Sequence, residues 1–542
     1  MRRLLLYLAA AASVPFADVT QRLGIDFTLE NSPTAGKYLP ETMPGGVALF
    51  DSDNDGRLDI YFVNGARIEH PMTKGRRPDK SDRRYWNRFY KQNADGSFAD
   101  RTEHAGLTGM PQNLYGMGVA AADYDNDGYT DLYVTGVGGS TLYRNKGDGT
   151  FEDVTKRASV GAGGWTTSAG FVDYDNDGRL DLFVCRYLEW SFEAERSCGD
   201  RNPGGRSYCH PDNYKGVTSL LYRNNGDGTF IDVSQQTGIA SQDGKALGVA
   251  FADYDADGWI DIYVANDSVQ SFLYRNLKGR AFEEVAVSAG VGFNEDGKTF
   301  AGMGVDFSDF NNDGRPDILV TDLSNERYML YRNNGDGTFT EVTNATGLGA
   351  ATLPYSGWST RLLDTDNDGW KDIFVAQGHV MDTIERTSPN LRYKQPPLLL
   401  RNIRGRFEQA GDFGTPRAGR GAAFGDIDND GDIDIVVTNL SDKAIVFRND
   451  SERSQAWTRI ELMGKRSNRD GIGAQIRVRG SDGTVQHHTV TSAAGYLSSS
   501  DKRVTVTLGA ATPIEIVWPS GIRQMLSKPV VGGATRVTET EP

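Results

Sequence analysis

One nine-residue pattern, D-x-[DN]-x-D-G-x-x-D, recurs seven times and constrains the fold of this chain more than any other feature. The copies are DSDNDGRLD from Asp51, DYDNDGYTD from Asp123, DYDNDGRLD from Asp173, DYDADGWID from Asp253, DFNNDGRPD from Asp309, DTDNDGWKD from Asp364 and DIDNDGDID from Asp426. They lie 72, 50, 80, 56, 55 and 62 residues apart. Small apolar runs such as GVALF or GVAFA precede them, and alternating runs such as DIYFV follow, which predicts two strands around a tight loop. A second pattern trails each loop: LYRNKGDGTFEDVT from Leu142, LYRNNGDGTFIDVS from Leu221, LYRNLKGRAFEEVA from Leu273 and LYRNNGDGTFTEVT from Leu330, with weaker forms from Phe89 and Leu399. Its GDG segment supplies the residues that a hairpin turn demands. Each repeat therefore holds four short strands, and seven such units read as an all-β, seven-bladed β-propeller. The 64 glycines among 542 residues suit so many turns.

The seventh repeat ends at VFRND (446–450) without an FxDVT strand, and FADVT at Phe16–Thr20 supplies the missing one. The expectation is that this N-terminal strand closes the last blade and removes an exposed sheet edge. The propeller then spans 13–454. Residues 455–542, with strand-like WTRIELM, AQIRVRG, VQHHTVTS, RVTVTLG and IEIVWP, form a small β-sandwich or barrel. Docking of this part on the propeller rim and recruitment of a partner are both open.

Several carboxylates converging from one short loop suit a hard cation with oxygen ligands, and Ca²⁺ tolerates such flexible geometry better than Mg²⁺. The candidate ligands are Asp51, Asp53, Asp55 and Asp59; Asp123, Asp125, Asp127 and Asp131; Asp173, Asp175, Asp177 and Asp181; Asp253, Asp255, Asp257 and Asp261; Asp309, Asn311, Asp313 and Asp317; Asp364, Asp366, Asp368 and Asp372; and Asp426, Asp428, Asp430 and Asp434. Up to seven calcium ions are expected, with the fifth loop among the weaker because Asn311 replaces a carboxylate. The glycine at position 6 permits the sharp turn. Crowded like charges predict strained ion-free loops whose loading is linked to folding. These loops also locate the acidity behind the formal net charge of −15, which argues against nucleic acid as a partner.

The repeats resemble the FG-GAP (VCBS-type) repeats of integrin α-subunit propellers. The tail resembles the ASPIC/UnbV domain of the cartilage acidic protein family through GKRSNRDGIGAQIRV (464–478), SAAGYLSSSD (492–501) and VWPSG (517–521). Together the resemblances cover nearly the whole chain and imply an exported calcium-binding propeller, with little said about its ligand.

Arg2, Arg3 and the apolar stretch Leu4–Ala12 have the layout of a secretory signal over residues 1–12, which implies a periplasmic, secreted or cell-surface destination. Cys198 and Cys209 lie eleven apart in a Gly/Pro-rich stretch, as a disulfide in an oxidising compartment would. Cys185 reads as a core thiol. No apolar run of 18 residues predicts a membrane span.

In an up-and-down blade the acidic loops and GDG turns share one face of the disc. The longest insertions, about 64–87, 186–216 and 378–397, lie on the other. They carry Lys74, Arg76, Arg77, Lys80, Arg83, Arg84, Tyr85 and Trp86, then Tyr187, Trp190, Tyr208, His210 and Tyr214. Exposed arginine beside aromatic rings is the composition of binding hot spots, so Arg76, Arg77, Arg83, Arg84, Trp86, Trp190, Tyr208 and His210 are the candidates for a protein or glycan partner. The alternative is that these loops only cap the disc. No G-x-S-x-G, H-E-x-x-H or phosphate-cradling loop is present, and adjacent His487 and His488 on an alternating run point to opposite faces. A glycan-active enzyme using His210, His379 and Tyr208 is the alternative function.

Overall fold

The computed structural model describes residues 15–109, 112–199, 205–451, 456–480, 483–509 and 513–541. The expected signal segment, 1–12, and the expected boundary at 454/455 lie outside the described residues. Seven four-stranded antiparallel sheets follow one another around an axis. Their first strands are Val47–Phe50, Tyr115–Ala122, Thr166–Val172, Ala246–Ala252, Val305–Ser308, Gly357–Leu363 and Gly419–Gly425, and these line the centre. Such strands are buried on both faces, which is why they read as runs of Ala, Gly, Val and Phe rather than as alternation. Hydroxyls tie neighbouring inner strands together: Thr135 donates to the Thr167 carbonyl at 2.5 Å, Thr167 to Ala246 at 2.7 Å, and Thr438 to Gly45 at 2.6 Å.

The last blade comprises Gly419–Gly425, Asp434–Asn439, Ile445–Asn449 and the N-terminal strand Phe16–Asp18. Phe16 pairs with Asn449 and Asp18 with Phe447, so the ring closes as expected from FADVT. Every other blade is continuous in sequence. In the third, the insertion carries a hairpin, Cys198–Gly199 with Arg206–Ser207, and a Cys198–Cys209 disulfide. Cys185 is a buried free thiol.

The C-terminal part is a two-layered β-sandwich. One sheet orders Val504–Leu508, Ala456–Met463 and Gly533–Thr538; the other orders Val485–Thr489, Gln475–Arg479, Ile514–Val517 and Arg523–Leu526. It does not sit on the rim. It lies over the face that carries the acidic loops, and its segment 492–501 runs into the centre of the disc. There the Leu49 N–H of the first blade donates to Ser499 O and the Ser499 N–H to Val47 O, both at 3.0 Å, the Val119 N–H donates to Leu497 O at 2.9 Å, and Gly495 and Val305 bond reciprocally. The Leu497 N–H donates to Ser168 Oγ, the Tyr496 N–H to Ser359 Oγ, and the Asp501 N–H to Phe424 O. SAAGYLSSSD is thus an axial plug, and its small residues suit a narrow channel. Its tip, Tyr496 and Leu497, is buried near the far face. Among the described residues no helix is long and apolar enough to cross a membrane.

Position 4 of every acidic loop takes a left-handed conformation, with φ between 53° at Asn176 and 60° at Asn54 and Asn429. Asparagine tolerates this region, but Ala256 holds it at φ 58° without a local hydrogen bond to offset the cost. Asn54, Asn126, Asn176 and Asn312 also donate to the carbonyl of the loop glycine in the next blade, whereas Ala256 cannot. Ala256→Asn should stabilise the protein by about 1 kcal/mol, read as a higher urea midpoint at unchanged slope. Deleting residues 16–20 should lower the midpoint and promote association through the exposed 445–449 edge, which light scattering would detect.

Candidate functional site

Each acidic loop hangs between the first and second strands of its blade. The position-9 aspartate is buried and accepts two main-chain bonds. In the second blade the Asn145 N–H donates to Asp131 Oδ1 at 2.7 Å and the Tyr124 N–H to Oδ2 at 3.2 Å, and the same pair recurs in all seven blades. At position 1, the carboxylates of the first six loops accept the amides of positions 5 and 6, as Asp173 does from Asp177 and Gly178, both at 3.0 Å. Both ends of the loop are thereby fixed by backbone donors, and in the first six loops the position-3 side chain is half-buried.

Carboxylate oxygens converge within 4.8 Å of one another in Asp51/Asp53/Asp55, Asp123/Asp125/Asp127, Asp173/Asp175/Asp181, Asp253/Asp255/Asp261 and Asp364/Asp366/Asp368. One position-3 oxygen is buried with no hydrogen-bond partner in Asp53, Asp175 and Asp255, and both oxygens of Asp366 are. Buried unpaired carboxylate oxygens are costly, so this donor set fits a hard cation. A feature the sequence reading missed is the basic residue of the LYRN strand. Lys91 reaches Asp53 at 2.6 Å, Arg144 reaches Asp125 at 2.5 Å, Arg275 reaches Asp255 at 2.9 Å and Arg401 reaches Asp366 at 2.5 Å. The signal was present, since a Lys or Arg stands at that place in every copy.

The seventh loop differs. Arg459 of the C-terminal sandwich enters it and reaches Asp426 Oδ2 at 3.0 Å, with both side chains buried. Elsewhere the sandwich grips the loops through both side-chain and main-chain atoms: the Asp123 N–H donates to the Asp470 carboxylate at 2.9 Å, and Lys371 Nζ bridges the Asp309 and His487 carbonyls at 2.8 and 2.7 Å.

The opposite face carries the insertions. Arg76, Arg77, Arg83 and Arg84 are exposed, but three of them have local acidic partners: Arg76 with Glu69, Arg83 with Asp100 and Glu103, Arg84 with Asp82 at 3.1 Å. The aromatic residues are not presented to solvent as expected. Trp190 is buried against Trp165 and Phe192 and donates to Glu195 at 2.5 Å, while the half-buried Trp86 donates to the Lys80 carbonyl. Lys80 is itself buried, with its ammonium on Asn64 O, Tyr85 O and Asn87 Oδ1, and burial holds its pKa well below the usual lysine value. These groups build the loop rather than its surface. His210 remains exposed beside Asp212.

Where the insertions meet the axis there is a cavity of about 280 Å³. Leu247, Met303 and Trp358 come from the inner strands and their entries, Tyr187, Tyr208 and His210 from the second insertion, and His379 from the third. Tyr208, His210 and His379 are thus brought together. The Tyr187 hydroxyl donates to Asp267 at 2.5 Å, and the Tyr208 hydroxyl to Glu41 at 3.1 Å. Burial pushes the Glu41 carboxyl up to about 7. Beneath Trp358 lies a fully buried guanidinium, Arg420, 4.1 Å from the ring centroid.

Matches to the FG-GAP-like repeat cover 77–134, 124–184, 213–264, 253–320 and 309–375, half of the chain, and the ASPIC and UnbV model matches 464–542. The chain belongs to the FG-GAP-like repeat family, as a propeller joined to an ASPIC and UnbV domain. It is similar to cartilage acidic protein 1 of Homo sapiens, 23% identical over 558 residues that cover 98% of this chain and 78% of that protein. Cartilage acidic protein 1 of Mus musculus is also 23% identical, with 98% and 79% covered. An Agrocybe aegerita lectin that recognises non-reducing terminal N-acetylglucosamine matches with TM-score 0.40 and 17% identity, over 74% of this chain and 86% of the lectin.

Burial raises Asp123, Asp173, Asp372 and Asp426 to about 7, and Asp59 and Asp253 to about 6, with neighbouring carboxylates adding to the rise at Asp123, Asp173 and Asp372. Unfolded aspartate titrates near 3.9, so between about pH 4 and 7 the folded, ion-free chain binds more protons than the unfolded one, and its stability rises as pH falls through that window. In chelator the melting temperature should therefore increase between pH 8 and pH 5.5. A melting temperature that falls over this range would contradict the buried-charge assignment.

Proposed function

We propose that this is an exported calcium-binding propeller that acts as an extracytoplasmic binding or adhesion module for a protein or glycan partner. The observation that carries the reading is the division of the disc between two faces. The acidic loops on one face have carboxylates with unpaired oxygens and lie under the C-terminal sandwich, which leaves the insertion face for recognition. Calcium on the loops would replace the Arg and Lys partners of positions 3 and 5 and remove the mutual repulsion of the carboxylates. The Cys198–Cys209 disulfide on the insertion face supports an oxidising destination.

The convergence of Tyr208, His210 and His379 on one cavity supports a second reading, a glycan-active lyase or hydrolase on that face. A screen of acidic polysaccharides for new reducing or unsaturated ends, with and without chelator, separates the two.

Calcium at a hundredfold over its dissociation constant should add about 2.7 kcal/mol per occupied site, and the gain should fall in Asp175→Asn or Asp255→Asn, read by calorimetry and thermal melting. Reversing the charge at Arg76, Arg77, Arg83 and Arg84 together should abolish capture of an acidic partner while leaving the melting temperature within a few degrees. Full capture by the folded variant would exclude this patch.

A further inference from the structure

Directly behind the wall of the axial cavity, against its lining residues Thr42, Trp358 and His379, lies an unusual charge. Arg420 is fully buried, and its donors go only to main-chain oxygens: Nε to Thr42 O at 2.6 Å, Nη1 to Gly419 O at 2.8 Å and Gly378 O at 3.1 Å, and Nη2 to His379 O at 3.0 Å. It forms no ion pair with a carboxylate among the described residues, and the other face of its environment is the Trp358 ring. A buried guanidinium held by carbonyl dipoles alone leaves positive potential at that end of the cavity.

His379 lies at the same end. Its Nδ1 accepts the Met381 N–H at 2.9 Å, so in the neutral ring the proton is on Nε2, which is a donor. Burial and the nearby Arg420 hold this imidazole down at about 4, so the ring is neutral at physiological pH. Of the other charged groups around the cavity, Asp267, which lines it, and Glu41 are held by neutral hydroxyls, and the rest are ion-paired. Asp267 accepts from Tyr187 and Ser268, Glu41 from Thr34 and Tyr208, Lys37 pairs with Asp382, and Asp212 takes Lys245 and His210. The apolar wall includes Leu39, Met43, Leu247, Met303 and Leu323.

We propose that this cavity binds a small organic carboxylate with an apolar body of about two rings, its anionic end on His379 Nε2–H above Arg420. Size follows from comparison: an apolar cavity of about 150 Å³ takes one aromatic ring, so about 280 Å³ takes two. Charge follows from Arg420, which an anion compensates and a cation does not. The site is independent of the macromolecular recognition proposed above, because the exposed arginines of the first insertion do not line it.

The test is calorimetry with three probes of one shape: 2-naphthoate, 2-naphthamide and 2-naphthylmethylammonium. One naphthoate should bind per chain, at least tenfold tighter than the amide, with the ammonium weakest. Met303→Trp, which fills the cavity, should weaken all three at least tenfold without a change in cooperative melting. Arg420→Met should bring naphthoate and naphthamide to equal affinity. If that variant does not melt cooperatively, His379→Leu decides, and it should also remove the preference. Naphthoate binding no tighter than naphthamide, absence of binding, or unchanged binding in Met303→Trp would each overturn the proposal. Capture of a macromolecular partner by folded Met303→Trp would leave the recognition reading standing while this one is judged on naphthoate alone.

Discussion

A single side-chain amide ties each blade to the one before it. Asn145 donates to the Ser52 carbonyl, Asn224 to Tyr124, Asn276 to Tyr174, Asn333 to Tyr254, Asn402 to Phe310 and Asn449 to Thr365, all at 2.8 or 2.9 Å. Gln92 completes the circle on Ile427 at 2.9 Å. Each acceptor is position 2 of an acidic loop. Because the same residues offer their own amides to the position-9 aspartates, the inter-blade bond and the shape of the loop are one network. Buried amides and carbonyls left unpaired are expensive, so loop geometry and ring closure stand or fall together. The asparagine of LYRN is therefore a joint of the ring, and the aspartate after the loop is as much a structural acceptor as a possible ligand.

What was legible in the sequence was whatever is local and repeated. Seven loops, their flanking strands and the FADVT closure follow from short-range pattern, because a strand-loop-strand unit is specified within about twenty residues. Even the closure needed only the count of strands. The plug was not legible: SAAGYLSSSD has no alternation and only Asp501 for charge, and most of its partners lie in blades more than a hundred residues away. Composition misled at the insertions for a related reason. Trp190 and Lys80 carry the residue types of a binding surface, but whether a loop aromatic faces water or its own loop depends on tertiary contacts that no local pattern encodes.

The electrostatics of the two faces are arranged in opposite ways. On the loop face, carboxylates exceed their partners, and Arg459, Lys502 and Arg503 of the C-terminal sandwich bring cations toward them, with Arg503 Nη1 reaching the Gly56 carbonyl at 3.2 Å. At the axis of the other face a guanidinium is buried without a carboxylate partner among the described residues. The plug connects these regions through Tyr496, whose ring meets Trp358 at 4.9 Å between centroids and whose hydroxyl donates to Met43 O. The covalent chain thus runs from the sandwich over the acidic loops to the floor of the distal cavity.

The plug also bears on the order in which the molecule can assemble. The strand at Phe16–Asp18 has no partner until Ile445–Asn449 exists, and the inner strands of the blades lack their central bonds until 492–501 arrives. A chain synthesised from its N-terminus therefore cannot close its ring before Ile445–Asn449 has been made. Closure of the ring and insertion of the plug are thus separate events along the chain, the first set by residues up to 449 and the second by 492–501.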